Sequence, residues 1–385
     1  MRILITLTYY RPHYSGLTIY TERLARALAA RGHQVTVITS RYDPSLPALE
    51  VKDGVEIIRP WVLMHLSKGV IMPDMIWHVA KKLREADIVS LHVPQLDAAL
   101  DALLARMMGK PVVLTYHCDL RLPKGIVHAL ANQASHVANH VSAMAANVIV
   151  TNTQDYADNS PFLKNYLGKV QVIPPPSELA PFTPADVAAF RQKYAIEGEQ
   201  KIIGMVARLA TEKGVEYLVY ALPGVQASLP NTRAMFVGQY LDVLGEEQYA
   251  ARLAPLIRDL GKEHWSFLGV LSPVELAVFY HLSSVIVLPS LNGTESFGMV
   301  QIEAMSSGTP VIASDLPGVR QPVLSTGMGK IIPPRDAGAL GTALVEVLEH
   351  RERYGGDSQT IVQRYAPETI AAEYEEIFKK LICKK

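Results

Sequence analysis

Short apolar, β-branched runs alternate with longer stretches of helical periodicity along this chain, and the alternation is interrupted once. The interruption is IPPPSELAPFTP at residues 173–184, five prolines in twelve positions. Proline fixes φ and has no N–H, so this stretch can continue neither a helix nor a central strand. Before it, strand-like runs fall at 2–8, 34–39, 55–59, 87–92, 111–117, 147–151 and 169–173. After it they restart at 201–206, 232–237, 265–268, 285–288, 310–313 and 329–332, and a last helical pattern covers 366–381. Strands spaced by helices call for parallel sheets with crossover connections. The expectation is α/β: two doubly wound, Rossmann-like domains facing across a cleft, spanning 1–178 and 179–365, followed by a C-terminal helix over 366–385. In open parallel sheets ligands bind beyond the carboxyl ends of the strands, so chemistry is sought in the strand-to-helix junctions.

At 385 residues the chain is long enough for two cores. Lys+Arg and Asp+Glu are 37 each, so net charge points to no polyanionic partner and no nucleic acid. Residues 1–178 carry 18 basic and 14 acidic groups, a small positive excess compatible with an anionic surface. The two cysteines, Cys118 and Cys383, are far apart and form no disulfide framework, which fits a cytoplasmic protein. No apolar run reaches the length of a membrane span.

Four junctions after the proline-rich segment carry polar groups. GMVARLATEKG, 204–214, brings Arg208 and Lys213 ahead of a helix. Arginine offers a planar fork and lysine a point charge, and the two can converge on one diphosphate; a surface ion pair of Arg208 with Glu212 is the alternative. TESFGMVQIEAMSSGTP, 294–310, places two carboxylates, Glu295 and Glu303, eight residues apart around a glycine. A helix starting near Gly298 turns the amides of Gly298, Met299 and Val300 toward an anion. Glu303 then lies roughly 7.5 Å along the axis, among Val300, Ile302, Ala304 and Met305. Carboxylates accept from pairs of sugar hydroxyls; helix capping by Glu295 and a solvated Glu303 are the plainer roles. FLGVLS, 267–272, can offer backbone around Val270 to a nucleotide base, and SDLPG, 314–318, reads as a plain turn.

Before the proline-rich segment, YYRPHYSGLT (9–18) has Gly16 where backbone can approach a phosphate closely. It is not the G-x-G-x-x-G dinucleotide fingerprint, which disfavours a nicotinamide enzyme. His117 and Asp119 stand at the tip of another strand. His136 and His140 are four apart but lack a carboxylate or cysteine partner, so no metal site is expected. Residues 125–154 contain no charge; Ile126, Val127, Leu130, Ala134, Val137, Val141 and Met144 keep helical spacing and are expected to pack in the core, or else to lean on a lipid or acceptor.

Taken in order, Gly16, His117, Arg208 with Lys213, and ESFGMVQIEAM (295–305) followed by GTPVI (308–312) resemble the retaining glycosyltransferases of family 4, which have the GT-B architecture. The resemblance covers nearly the whole chain. It implies an acceptor-binding first domain, a nucleotide-sugar-binding second domain, and a C-terminal helix packing back on the first. It implies a UDP-sugar or GDP-sugar donor and no metal or other cofactor. The acceptor is a hydroxyl on a lipid-linked or glycan molecule, with peripheral contact at the inner face of a membrane. Arg208 and Lys213 would neutralise the donor diphosphate. Glu295 would hold the transferred sugar, Phe297 and the amides of Gly298, Met299 and Val300 the phosphates, and Glu303 the ribose. Val270 would meet the base, Gly16 would approach the diphosphate, and His117 would lie by the sugar. Three departures from the family pattern are Ser15 before Gly16, Pro175-Pro176, and Tyr240 after Val237-Gly238. A sugar-nucleotide epimerase on the same scaffold is the alternative, recognised by turnover without an acceptor.

Overall fold

The computed structural model describes residues 1–66, 69–119 and 126–383, for 66 and 126–132 the main chain only. The chain forms two compact units, Met1–Pro176 with Tyr365–Lys385, and Ser177–Arg364. The division falls inside the proline-rich segment.

The first unit is built on β1 (Arg2–Thr6), β2 (Gln34–Ile38), β3 (Leu49–Lys52), β4 (Val55–Ile58), β5 (Met64–Leu66), β6 (Gly69–Ile71), β7 (Ile88–Val93), β8 (Val112–Tyr116), β9 (Val148–Thr151) and β10 (Val170–Val172). Eight of these make one sheet in the order β10-β9-β8-β7-β1-β2-β4-β3. Every pair is parallel except β3 with β4. All residues of β7, β8 and β9 are buried, as expected for parallel strands covered by helices on both faces. The β3–β4 hairpin, absent from the sequence reading, turns through Asp53-Gly54, both at positive φ. That dipeptide is the favoured two-residue hairpin turn; β3 itself is mostly exposed and shows no apolar alternation.

Helix Gly16–Ala30 follows β1, with the Ser15 hydroxyl accepting from the Thr18 amide at its start. Helix Pro367–Ile382 belongs to this unit. It is fastened by Tyr374, whose buried hydroxyl stands 2.8 Å from that of Tyr20 and 2.9 Å from Thr115 Oγ1, and by Arg31 against Glu375 at 2.6 Å. Helix Ile126–Ala145 corrects one expectation. Val137 and Met144 face solvent, while Asn139, Ser142, Ala143 and Ala145 are buried. Over its described side chains the buried face is made mostly of small residues; Ile126, Val127 and Leu130 lie outside them.

The second unit contains β11 (Lys201–Val206), β12 (Thr232–Val237), β13 (Trp265–Gly269), β14 (Val285–Leu288), β15 (Val311–Ser314) and β16 (Gly329–Ile332). They form a fully parallel sheet ordered β13-β12-β11-β14-β15-β16. Its core joins Ile203, Met205, Phe236, Val287 and Ile312 to Leu218, Leu222 and Leu344 of the covering helices. Both units are doubly wound Rossmann-like sheets, the two-domain α/β plan of the GT-B fold class.

Candidate active site

In each unit the strand order reverses direction once, between β1 and β7 in the first and between β11 and β14 in the second. At such a switch point the flanking loops diverge and leave a crevice above the carboxyl ends. Arg208, Lys213, Glu295 and Gly16 lie in the strand-to-helix segments that flank these switch points, His117 lies one strand away, and Val270 lies two strands away.

In the second unit, the loop after β11 carries Arg208 and Lys213 and the loop after β14 carries Glu295. Lys213 Nζ donates to Glu295 Oε2 at 2.6 Å, a bond that spans the switch point. Each side chain keeps about a fifth of its surface exposed, 21% and 18%. Main chain locks the same two loops together, since Leu291 N donates to Glu212 O at 2.9 Å. Gly214, at φ 65°, makes this approach possible: a Cβ there would meet Pro289 O at 2.2 Å. Arg208 lies 3.6 Å from Glu212, so the ion-pair alternative is realised in a loose form. That distance is too long for a good hydrogen bond, and the guanidinium can turn to a ligand.

Helix Met299–Ser306 begins at Gly298, whose φ of 78° marks the bend. A Cβ at Gly298 would strike Leu288 Cδ2 at 2.3 Å. Met299 and Val300 are partly exposed at the helix start, whereas the side chain of Phe297 is buried, so Phe297 offers a ligand only its main chain. Gln301, fully buried, fastens the turn: its Nε2 donates to Phe297 O at 2.7 Å and to Val319 O at 2.8 Å. Val319, directly after the SDLPG turn, thus supports the helix start. Glu303 is buried and accepts from Tyr280 Oη at 2.9 Å, which sets aside the solvated reading. Val270, exposed just past β13, stands two strands from the switch point. Tyr240 stacks on Phe267 with centroids 4.4 Å apart and walls that side.

In the first unit, Gly16 is the exposed first residue of the helix after β1. His117 follows β8 and is buried, with Nε2 3.0 Å from His92 Nδ1. One ring's N–H donates to the other. Tyr20 meets the His117 ring edge-on at 4.8 Å, and Thr21 Oγ1 lies 3.2 Å from His92 Nδ1. Burial lowers the His117 pKa to about 3 and takes His92 well below its usual value, so both rings are neutral near pH 7. Beside them, Thr6 Oγ1 donates to Gln95 Oε1 at 3.3 Å and Gln95 Nε2 to Asp101 at 3.4 Å. Burial, reinforced by Asp97, pushes the Asp101 carboxyl up to about 8, and burial raises Asp97 to about 6.

The sequence reading missed His92, Gln95, Asp101, Tyr280 and Gln301. His92 had a signal, a histidine near the end of a strand like His117. Only the parallel register, which sets His92 opposite Thr115, shows that the two rings meet. Among the described residues no group of three or more His, Cys, Asp or Glu is placed to hold a metal. His140 meets His136 through one ring nitrogen and Tyr166 through the other. None of the described helices is long and apolar enough to cross a membrane.

Comparisons with known proteins place the chain in a family. Residues 186–366 match the glycosyl transferases group 1 family, and residues 15–176 match the glycosyl transferase 4-like domain. The chain belongs to the group 1 glycosyltransferases and is a glycosyltransferase of GT-B fold. It is 26% identical over 414 residues to the phosphatidyl-myo-inositol mannosyltransferase of Mycobacterium leprae, covering 98% of this chain and 96% of that one. It is 29% identical over 359 residues to the D-inositol 3-phosphate glycosyltransferase of Acidothermus cellulolyticus, covering 86% and 78%. The structure of HepE from Anabaena in complex with UDP-glucose superposes with a TM-score of 0.77 at 21% identity, covering 99% of this chain and 100% of that one.

Proposed function

We propose that this protein transfers a hexose from a nucleotide-diphosphate sugar to a hydroxyl acceptor with retention of anomeric configuration. The observation that carries the reading is the Lys213–Glu295 bond across the second unit's switch point, directly before a helix start bent open by Gly298. Lys213, the loosely paired Arg208 guanidinium and the helix start after Gly298 are assigned to the charge that grows on a departing diphosphate. Preorganised donors of this kind stabilise a leaving group without a metal, so the transfer is proposed to be metal-independent. Glu295 is assigned to hydroxyls of the transferred sugar, and binding of donor would relieve it of part of its hold on Lys213. Glu303, held by Tyr280, is assigned to the ribose, main chain near Val270 to the base, and the amides after Phe297 to phosphate.

Gly16 is assigned to admit a phosphate oxygen. Neutral His117 serves as a hydrogen-bonding group for the sugar and not as a titrating base; a donor phosphate oxygen takes the acceptor's proton on the face the leaving group departs from. A UDP- or GDP-sugar is the proposed donor, with the UDP-glucose complex of HepE in support. The acceptor is proposed to be a lipid-linked or glycan hydroxyl; the relative named for phosphatidyl-myo-inositol supports a lipid-linked one. The test is a thermal-shift screen of nucleotide sugars against the matching free nucleotides, followed by NMR of the product's anomeric coupling. A ligand at 100 times its Kd adds about 2.7 kcal/mol. Stabilisation by no nucleotide sugar, or an inverted product, overturns the proposal.

A further inference from the structure

Two buried histidines meet beside the first unit's switch point, and only His117 has been given a task. His92 is fully buried on β7, with Ser90 two residues before it on the same face of the strand. Helix Gly16–Ala30 brings Tyr20 and Thr21 against the pair. A carboxylate or a main-chain carbonyl usually decides which ring nitrogen of a histidine carries the proton. Among the described residues neither is bonded to these two rings, and hydroxyl groups take that place.

Counting donors and acceptors locates the protons. Thr21 Oγ1 donates to Leu17 O at 2.9 Å, the carbonyl one turn back in its own helix. A hydroxyl has one hydrogen and two lone pairs. Toward His92 Nδ1, 3.2 Å away, Thr21 can therefore only accept, and the His92 proton is on Nδ1. Ser90 Oγ, 3.3 Å from His92 Nε2, then donates to that ring's other nitrogen. The Nδ1–H is shared between Thr21 Oγ1 and His117 Nε2, the latter 3.0 Å away. His117 Nε2 accepts, so the His117 proton sits on Nδ1. The reverse order would turn lone pairs of Thr21 Oγ1 and His92 Nδ1 against each other, or strip Leu17 O of its hydrogen, with the loss of a hydrogen bond. Tyr20 does not compete, because its ring lies edge-on to both histidines and its hydroxyl is engaged with that of Tyr374.

We infer that Thr21 and His92 are positioning residues that fix His117 as its Nδ1–H tautomer and so leave an N–H donor for a ligand. His117 Nδ1 has no partner among the described residues, and the residue keeps 8% of its surface exposed. It follows the carboxyl end of β8, on the side of the sheet where Gly16 opens the helix after β1. A fixed donor discriminates: it favours a ligand atom that offers a lone pair and disfavours one that lacks it. That this atom is an oxygen of the transferred sugar rests on the transfer reading above. Both rings are neutral near pH 7, so the order of donors holds there. Helix Gly16–Ala30 thus carries the turn assigned to phosphate at its start and, further along, the hydroxyl that sets the His117 proton.

The experiment records two-bond ¹⁵N–¹H correlation spectra of the labelled full chain near pH 7, with His117→Asn and His92→Gln spectra assigning the two rings. In the parent, Nδ1 should give the protonated, pyrrole-type signal in both rings and Nε2 the unprotonated, pyridine-type one. Thr21→Val removes the accepting oxygen and should move the His117 tautomer ratio toward Nε2–H by about fivefold. Thr21→Ser, which keeps the hydroxyl, should restore the parent's ratio. Thermal melts establish that the variants fold, and the parent spectrum needs no variant to be folded beyond the one that assigns it. A His117 ring protonated on Nε2 in the parent, or a ratio unchanged in Thr21→Val, overturns the inference. A nucleotide sugar that stabilises the fold should shift the His117 Nδ1 signal, and the matching free nucleotide should not. With that donor, Thr21→Val should lower kcat/KM by about fivefold and Thr21→Ser should recover it. A nucleotide sugar that binds and leaves the Nδ1 signal in place also overturns the inference. Failure of every nucleotide sugar to bind sinks the donor reading instead, and is told apart because the tautomer is read without ligand.

Discussion

Replacing Lys213 by Met separates a functional cation from a structural clip. In the folded protein Lys213 donates to Glu295 at 2.6 Å, with about four-fifths of both side chains buried. A hydrogen bond between charged groups contributes about 1.5–3 kcal/mol. The partly exposed Glu295 recovers some of this from water, so Lys213→Met should cost about 1–2 kcal/mol of stability. For a unit of this size that lowers Tm by about 2–8 °C, and the protein remains folded at 25 °C. If Lys213 also meets charge growing on a leaving diphosphate, kcat/KM should fall by about 100- to 1,000-fold. The two effects are far apart in size and are read by separate assays, a melt and initial rates of nucleotide release. Glu295→Gln leaves Lys213 an acceptor oxygen, so its Tm should move less than that of Lys213→Met while transfer is still lost. The double variant should lose less than the product of the single losses, since both groups are assigned to one donor. A Lys213→Met variant with a lowered Tm but kcat/KM within about threefold of the parent would refute this reasoning and reduce the pair to a loop fastening.

Other outcomes follow from the same geometry. Asp101, pushed up to about 8 from 3.8 by burial, binds a proton in the folded chain that the unfolded chain has released, so it lowers stability as pH rises from about 4 to 8. Asp101→Asn should therefore leave stability unchanged near pH 4 and raise it by about 4 kcal/mol at pH 7; pH-dependent melts check this, and a loss constant with pH would contradict it. His117, lowered to about 3 by burial, works in the opposite sense: below its unfolded pKa of 6.5 the unfolded chain takes the extra proton, and stability falls as pH drops. His117→Asn should make that acid limb shallower by about 1.4 kcal/mol per pH unit, measured as a slope so that packing losses cancel. Gly214→Ala places a Cβ within 2.2 Å of Pro289 O and requires an unfavourable φ of 65°, so it should lower Tm and weaken donor binding together, whereas Gly224→Ala, with open space around it, should do neither.

The strand–helix alternation, the proline-rich break and the positions of Glu295, Glu303, Arg208 and Lys213 were legible in the sequence because each rests on local chemistry. A period of two or 3.6, a proline without a donor, or a glycine before a helix carries the same meaning wherever the chain goes. Elements without a periodic signature escaped: β3 is a mostly exposed hairpin strand, and β5 and β6 are only three residues long each. The helix Ile126–Ala145 had the spacing but not the orientation, since Asn139, Ser142 and Ala143 are buried while Val137 and Met144 are exposed.

What the tertiary structure alone decided is which of these groups are neighbours. Strand order places the loops of Lys213 and Glu295, 82 residues apart, on either side of one switch point, and strand register brings His92 to His117. The fold also decides which apolar residues are left outside, turning Trp61 and Trp77 to solvent while Trp265 is buried. Local sequence sets each segment's conformation through backbone sterics and periodicity. Pairing, register and exposure arise from the simultaneous packing of all segments, and no single stretch of the chain encodes them.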